Sequence, residues 1–150
     1  MACNDSVITT AGMSVSIGPA PATLDQVGFD AVAVDEIGEV SDITDIGKIF
    51  NTATRTPLSS RAVIEQKTSF TRQNPTLIFG PSDDDAGQVA AEAALESDDC
   101  YTIKFVRQNG AIIYITAQVS AFTVSYASDS YEAGSMTLLA QSDPVKVAAP

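Results

Sequence analysis

Two long apolar runs meet at Asn109-Gly110: CYTIKFVRQ precedes the dipeptide and AIIYITAQVSAFTVSYA follows it. Asn-Gly between such runs predicts a two-residue hairpin with a primed turn, because both residues tolerate positive φ. The second run is about 17 residues, far longer than an ordinary strand. Its apolar parity changes from Ile113, Ile115, Ala117 and Val119 to Phe122, Val124 and Tyr126, which predicts a bulge or bend near Ser120. EAGSMTLLAQ supplies a further strand, so this third of the chain commits the fold to antiparallel pairing.

The remaining elements fit around that meander. TLIFG reads as a short buried strand closed by Gly80 and Pro81. RAVIEQKTSFTRQ alternates, with Ala62, Ile64, Gln66, Thr68 and Phe70 on one face and Arg61, Val63, Glu65, Lys67, Ser69 and Thr71 on the other. FDAVAVDEI is read as an earlier strand. SDDDAGQVAAEAALES predicts the one helix, at about 83–97, with N-cap candidates Ser82, Asp83 and Asp84 and an apolar side at Ala86, Val89, Ala90 and Ala93. Residues 1–27, rich in small residues and proline, are expected to form an extended arm, residues 28–143 the domain, and residues 144–150 a tail. About seven strands and one helix indicate a mainly β protein, an antiparallel sandwich or barrel. One stretch resists assignment. Residues 41–60 read as a long loop, yet Ile43, Ile46, Ile49 and Phe50 make it too apolar for a free linker.

At 150 residues the chain suits a single domain. It has no histidine, which removes Ser-His-Asp and Cys-His catalysis and most zinc sites. DITDIGK fails as a phosphate loop: Asp42 replaces its first glycine, and Ile49 stands where a hydroxyl should bind magnesium. DDDAG fails as a calcium loop because its glycine comes one place early. Asp35 and Glu36, adjacent on a strand, point to opposite faces and cannot share a proton, and Asp98 and Asp99 read as surface charge. Neither a catalytic residue nor a cofactor or metal site is expected. Cys3 and Cys100 read as two reduced thiols, or as one disulfide if the assembled protein leaves a reducing compartment. The N-terminus lacks a secretory pattern and no apolar run is long enough to span a bilayer, so synthesis in a cytoplasm without membrane insertion is expected.

Net charge is −11, which argues against nucleic-acid binding. Its distribution is blocked: residues 1–45 carry eight acids and no base, and residues 83–99 carry seven acids and no base. Between them, residues 46–82 hold Lys48, Arg55, Arg61, Lys67 and Arg72 against Glu65 alone. Such blocks attract each other within a chain or between copies.

The order of elements resembles the major tail tube proteins of long-tailed bacteriophages over about Asp35 to Val145. The likeness is carried by Ile37, Val40, Asp42 and Ile43 in DEIGEVSDITDIG, by Asp85 to Gln88 (DAGQ) at the helix start, and by the Asn109 to Phe122 strand with its Asn-Gly opening. The family opening often has an aromatic residue and a glycine pair where this chain has Asp35, Glu36 and Gly38. The resemblance implies a β-sandwich with one flanking helix, forming hexameric rings with a continuous inner β-barrel that stack into a hollow tube. It implies a virion protein whose partners are itself, a tape measure protein, a tail terminator and tail-tip proteins, with double-stranded DNA passing through without specific binding. The long loop and both termini would join subunits. On that reading Ile43, Ile46, Ile49 and Phe50 meet a neighbour, and Lys48, Arg55 and Arg61 pair with its Asp35, Glu36, Asp42 or Asp45. The row Glu65, Lys67, Ser69 and Thr71 faces the lumen or is simply solvated. The rival reading is a non-catalytic β-sandwich binding or decoration module, which would remain a monomer.

Overall fold

The computed structural model describes residues 11–149. Its centre is the expected hairpin, β7 (Tyr101–Val106) against β8 (Ile112–Ser125), with Val106 opposite Ile112 and Tyr101 opposite Ala117. The turn is longer than Asn-Gly predicts. The Gly110 N–H donates to the Arg107 carbonyl at 2.9 Å and the Arg107 N–H to the Ala111 carbonyl at 2.8 Å. Only Gly110 takes positive φ, 89°, while the Asn109 carboxamide accepts from the Ala111 N–H at 3.0 Å. This is a three-residue connection ending in a left-handed glycine. Asn109 is satisfied by its side-chain bond rather than by a positive φ.

Against β9 (Ala133–Ala140), the register of β8 slips between Val119 and Ala121, where the parity change placed a bulge. The slip separates two wings. Upstream, β8 is flanked by β7 and by β10 (Val145–Val147), and β7 continues to β1 (Ser14–Gly18) and β2 (Asp35–Ile37). Downstream, β9 continues to β6 (Thr76–Phe79) and β3 (Val40–Ile43), giving the antiparallel order β2-β1-β7-β8-β9-β6-β3. Val15, Ile17, Ile103 and Phe105 of the first wing share one core with Leu77, Phe79, Met136 and Leu138 of the second. The sheet therefore wraps around its own apolar face, with Ala91 and Ala94 of α2 (Ala86–Leu95) packed into the same cluster.

Four expectations are corrected. The predicted N-terminal arm, 1–27, contains β1, a central strand whose Val15 and Ile17 are 0% and 1% exposed, and the start of a short helix; its first ten residues lie outside the described residues. FDAVAVDEI is not one strand. The short helix α1 (Gln26–Asp30), capped by Asp25, ends inside it, and pairing resumes only at Asp35. The predicted tail contributes β10, paired with Ile112 to Tyr114 of β8. The predicted 41–60 loop contains most of β3 and all of β4 (Lys48–Arg55).

The helix lies within its predicted span but is capped by Asp85, and its buried face, Gly87, Gln88, Ala91 and Ala94, is displaced from the predicted one. Val89 is 53% exposed. The displacement has a polar cause. The chain crosses from β2 to β3, the two ends of the strand order, through the turn Gly38-Glu39, and α2 begins on that seam. The Asp85 carboxylate accepts from the Gln88 N–H at 3.0 Å and from the Gly38 N–H at 3.1 Å. The Gln88 carboxamide donates to the Gly38 and Gly80 carbonyls at 3.1 and 2.9 Å and accepts from the Ser82 N–H at 2.8 Å. A buried amide with three partners is stabilising where an unpaired one would be costly, so this face turns inward.

Candidate assembly surfaces

One element stands apart from this body. β4 pairs with β5 (Ile64–Arg72) in a separate two-stranded sheet, and every residue of both strands except half-buried Arg72 is exposed. A ribbon wet on both faces gains little from burial. It is held instead by local contacts. Phe50 and Phe70 are direct cross-strand partners with ring centroids 5.4 Å apart. The Lys48 ammonium lies 4.7 Å from the Phe70 centroid, the Lys67 ammonium 5.1 Å from that of Phe50, and the Arg72 guanidinium 5.1 Å from that of Phe70. Such cation–π contacts contribute about 0.5–1 kcal/mol each when exposed.

A register shift between Phe50 and Thr52 reassigns the faces. Pairing runs Lys48 with Arg72 and Phe50 with Phe70, then Thr52 with Lys67 and Thr54 with Glu65, so Lys67 and Glu65 share the aromatic face. Thr71, opposite Ile49, and Ser69, hydrogen-bonded to Asn51 at 3.1 Å, lie on the other. The predicted row Glu65, Lys67, Ser69, Thr71 is thus split in two. Simple alternation fails here because β5 carries an extra residue that nothing in its sequence marks.

At its base the ribbon is tied to the body. The Lys48 ammonium and the Arg72 Nε reach the Asp143 carboxylate at 3.5 and 3.1 Å, and the Gln73 N–H donates to the Gly47 carbonyl at 2.7 Å. Lys48 therefore has an acid of its own chain. Among the described residues, no carboxylate lies within ion-pair distance of Arg55, Arg61 or Lys67. At the far end, Leu58 and Val63 are exposed beside Arg61.

The apolar residues of the puzzling stretch divide. Ile43 and Ile46 are half-buried against the core, so they serve the subunit itself in part, which corrects the expectation that they wait wholly for a neighbour. Their outer parts, with Met13, Val40 and Asp42, line a groove of about 290 Å³ along β3. Ile49 is 59% exposed and, like Phe50, open to a partner. Asp35, Glu36, Asp42 and Asp45 are all exposed, Asp35 and Glu36 on β2 and Asp42 on β3, two strands joined by the Gly38-Glu39 turn.

Sequence reasoning missed a second concavity. Between α2 and the downstream half of β8 lies a groove of about 580 Å³ lined by Val89, Phe122, Val124 and Tyr126, with Asp83, Glu92 and Glu132 along it. The displaced helix face explains the miss, since Val89 was read as core. Among the described residues no helix is long and apolar enough to cross a membrane. Cys100 is a free, half-buried thiol, and Cys3 lies outside the described residues.

No known family profile matches the sequence, and no curated protein matches it. Solved structures do match. A chain of the SPP1 tail tube, from a hybrid solid-state NMR and cryo-EM structure, superposes with a TM-score of 0.64 at 13% identity, over 93% of this chain and 78% of that one. A chain from the sheath/tube terminator of the PVC extracellular contractile injection system gives 0.64 at 14% identity, over 95% and 97%. A chain from the tail of the empty GTA particle, refined with C6 symmetry, gives 0.63 at 11% identity, over 91% and 96%. This chain has the tail-tube fold. The agreement spans nearly its whole length, so the wrapped sheet, its helix and its hairpin are described together by that fold.

Proposed function

We propose that this chain is a structural virion protein whose copies join into hexameric rings that stack as a hollow tail tube. The observation that carries the reading is the β4–β5 ribbon, an element exposed on both faces, apolar and aromatic in part, and, among the described residues, ion-paired to its own body at the base. An exposed ribbon of this kind is stabilised by laying itself on another surface, and a second copy is a partner always at hand. The tail-tube fold supports the same reading.

Rings are closed laterally, so each subunit's sheet extends into a shared inner barrel, while the ribbon works between copies. The acidic surface suits a conduit: double-stranded DNA passes because the wall offers it few cations to bind. Partners of such a tube are a tape measure protein, a terminator and tail-tip proteins. Its place is the phage tail, after synthesis in the host cytoplasm. Sedimentation of the purified protein across a concentration series tests the reading. It should show a species at six times the chain mass and larger multiples as concentration rises, and a monomer throughout would refute it.

A further inference from the structure

The ribbon and the α2–β8 groove lie at opposite ends of the same strands. β6 begins at Thr76, next to Gln73 at the ribbon's base, and ends at Phe79, next to Pro81 and Asp83 of the groove. β9 runs the other way, its Ala133 end beside Glu132 and its Ala140 end hydrogen-bonded to Asn74 at 3.2 Å. The length of β9 places roughly 25 Å between the two. A donor at one end of a subunit and an acceptor at the other is the geometry of a head-to-tail contact, which propagates as an open stack.

The two ends are also matched in chemistry. The outer end of the ribbon offers Arg55 and Arg61 with exposed Leu58 and Val63. The groove offers apolar Val89, Val124 and Tyr126 flanked by Asp83, Glu92 and Glu132. Among the described residues, none of these five charged side chains has an ion-pair partner in its own chain. Exposed apolar area with unpaired charge of opposite sign on each side is what complementary surfaces present before they meet.

We infer that the outer end of the β4–β5 ribbon of one copy seats in the α2–β8 groove of the next copy in the stack, Arg55 and Arg61 meeting Asp83, Glu92 and Glu132. The inference rests on the tube-forming reading and names its acceptor, replacing Asp35, Glu36, Asp42 and Asp45 as the acids the ribbon meets. Leu58 and Val63 cover Val89 and Tyr126, and the arginines enter as the apolar centre excludes water.

Two charge-reversed proteins test it, Arg55→Glu/Arg61→Glu and Asp83→Lys/Glu92→Lys/Glu132→Lys, with melting curves confirming that each is folded. Each alone should lose stacking, the pelletable fraction falling about tenfold or more. Mixed in equal amounts they should recover it, because each altered ribbon then finds an altered groove and each native ribbon a native one. Wild-type assembly unchanged by both reversals would overturn the docking, and so would loss in each protein without recovery on mixing. Wild-type protein that forms no assembly at any concentration would overturn the tube-forming reading itself.

Discussion

At the scale of single residues, the DAGQ segment has a physical reading. Asp85 caps α2 and holds the Gly38 N–H, Gln88 ties Gly38 to Gly80, and Gly87 lets the helix start lie directly on β2. A side chain at Gly87 would collide with the Glu36 carbonyl and with the Ile37 nitrogen, both backbone atoms that cannot swing aside. Alanine ordinarily stabilises a helix interior over glycine by about 0.5–1 kcal/mol, but here the collision outweighs it. Gly87→Ala should lower unfolding stability by about 2 kcal/mol or more, measured by urea titration. A second residue-scale prediction concerns Tyr114, stacked on Phe29 at 5.0 Å and donating to Asp30 at 2.8 Å. Burial first, and then the bond to Asp30 and its charge, push the phenol up from 10.0 to about 12. The fold favours the neutral phenol, so this contribution is complete below pH 10 and is lost as pH rises towards 12. Urea midpoints between those values should fall less steeply for Tyr114→Phe than for the wild type; equal slopes would contradict the assignment. Neither device is legible in the sequence, because Gly38, Gly80 and Gln88, or Asp30 and Tyr114, meet only after folding.

At the scale of elements, what could be read from the sequence follows from where each element buries its side chains. β7, β8 and β9 alternate against a common core, so their pattern, and even the slip at Ser120, is written in apolar parity. β1 is just as buried, but its Val15 and Ile17 sit among Ser14, Ser16 and Gly18 in a segment of small residues, and the alternation is too short to stand out. The β4–β5 ribbon shows the opposite case. Its strands face no core of their own, so Ile49 and Phe50 of β4 read as misplaced in a loop, although β5, with Phe70, is legible as a strand from its alternation. This division predicts different outcomes for neighbouring substitutions. Ile49→Asp with Phe50→Ser should leave the melting temperature of the body within a few degrees of wild type while abolishing assembly. Ile46→Asp, against the core, should lower the melting temperature clearly, since it buries a charge among apolar groups. Calorimetry on both, beside sedimentation, separates the two roles.

At the scale of the whole molecule, the blocked charge becomes a polarity. Cations gather on the ribbon at one end of β6 and β9, acids in the groove at the other, and the in-chain pairs to Asp143 involve only the ribbon's base. Exposed pairs such as those are worth at most about 1 kcal/mol, and on the proposed docking Arg55 and Arg61 carry the charge contacts between copies. Stacking should therefore weaken between about 0.1 M and 1 M salt, where the screening length falls from about 10 Å to 3 Å. If rings close laterally through sheet pairing, as proposed, that closure should respond less, so high salt should leave rings in excess over tubes. The central claim is that this fold builds a tube from copies of itself. Negative-stain microscopy of the purified wild-type protein at low salt and high concentration tests it most directly. Six-fold rings stacked into hollow tubes are the predicted result; particles of monomer size alone, from protein shown to be folded, would contradict it.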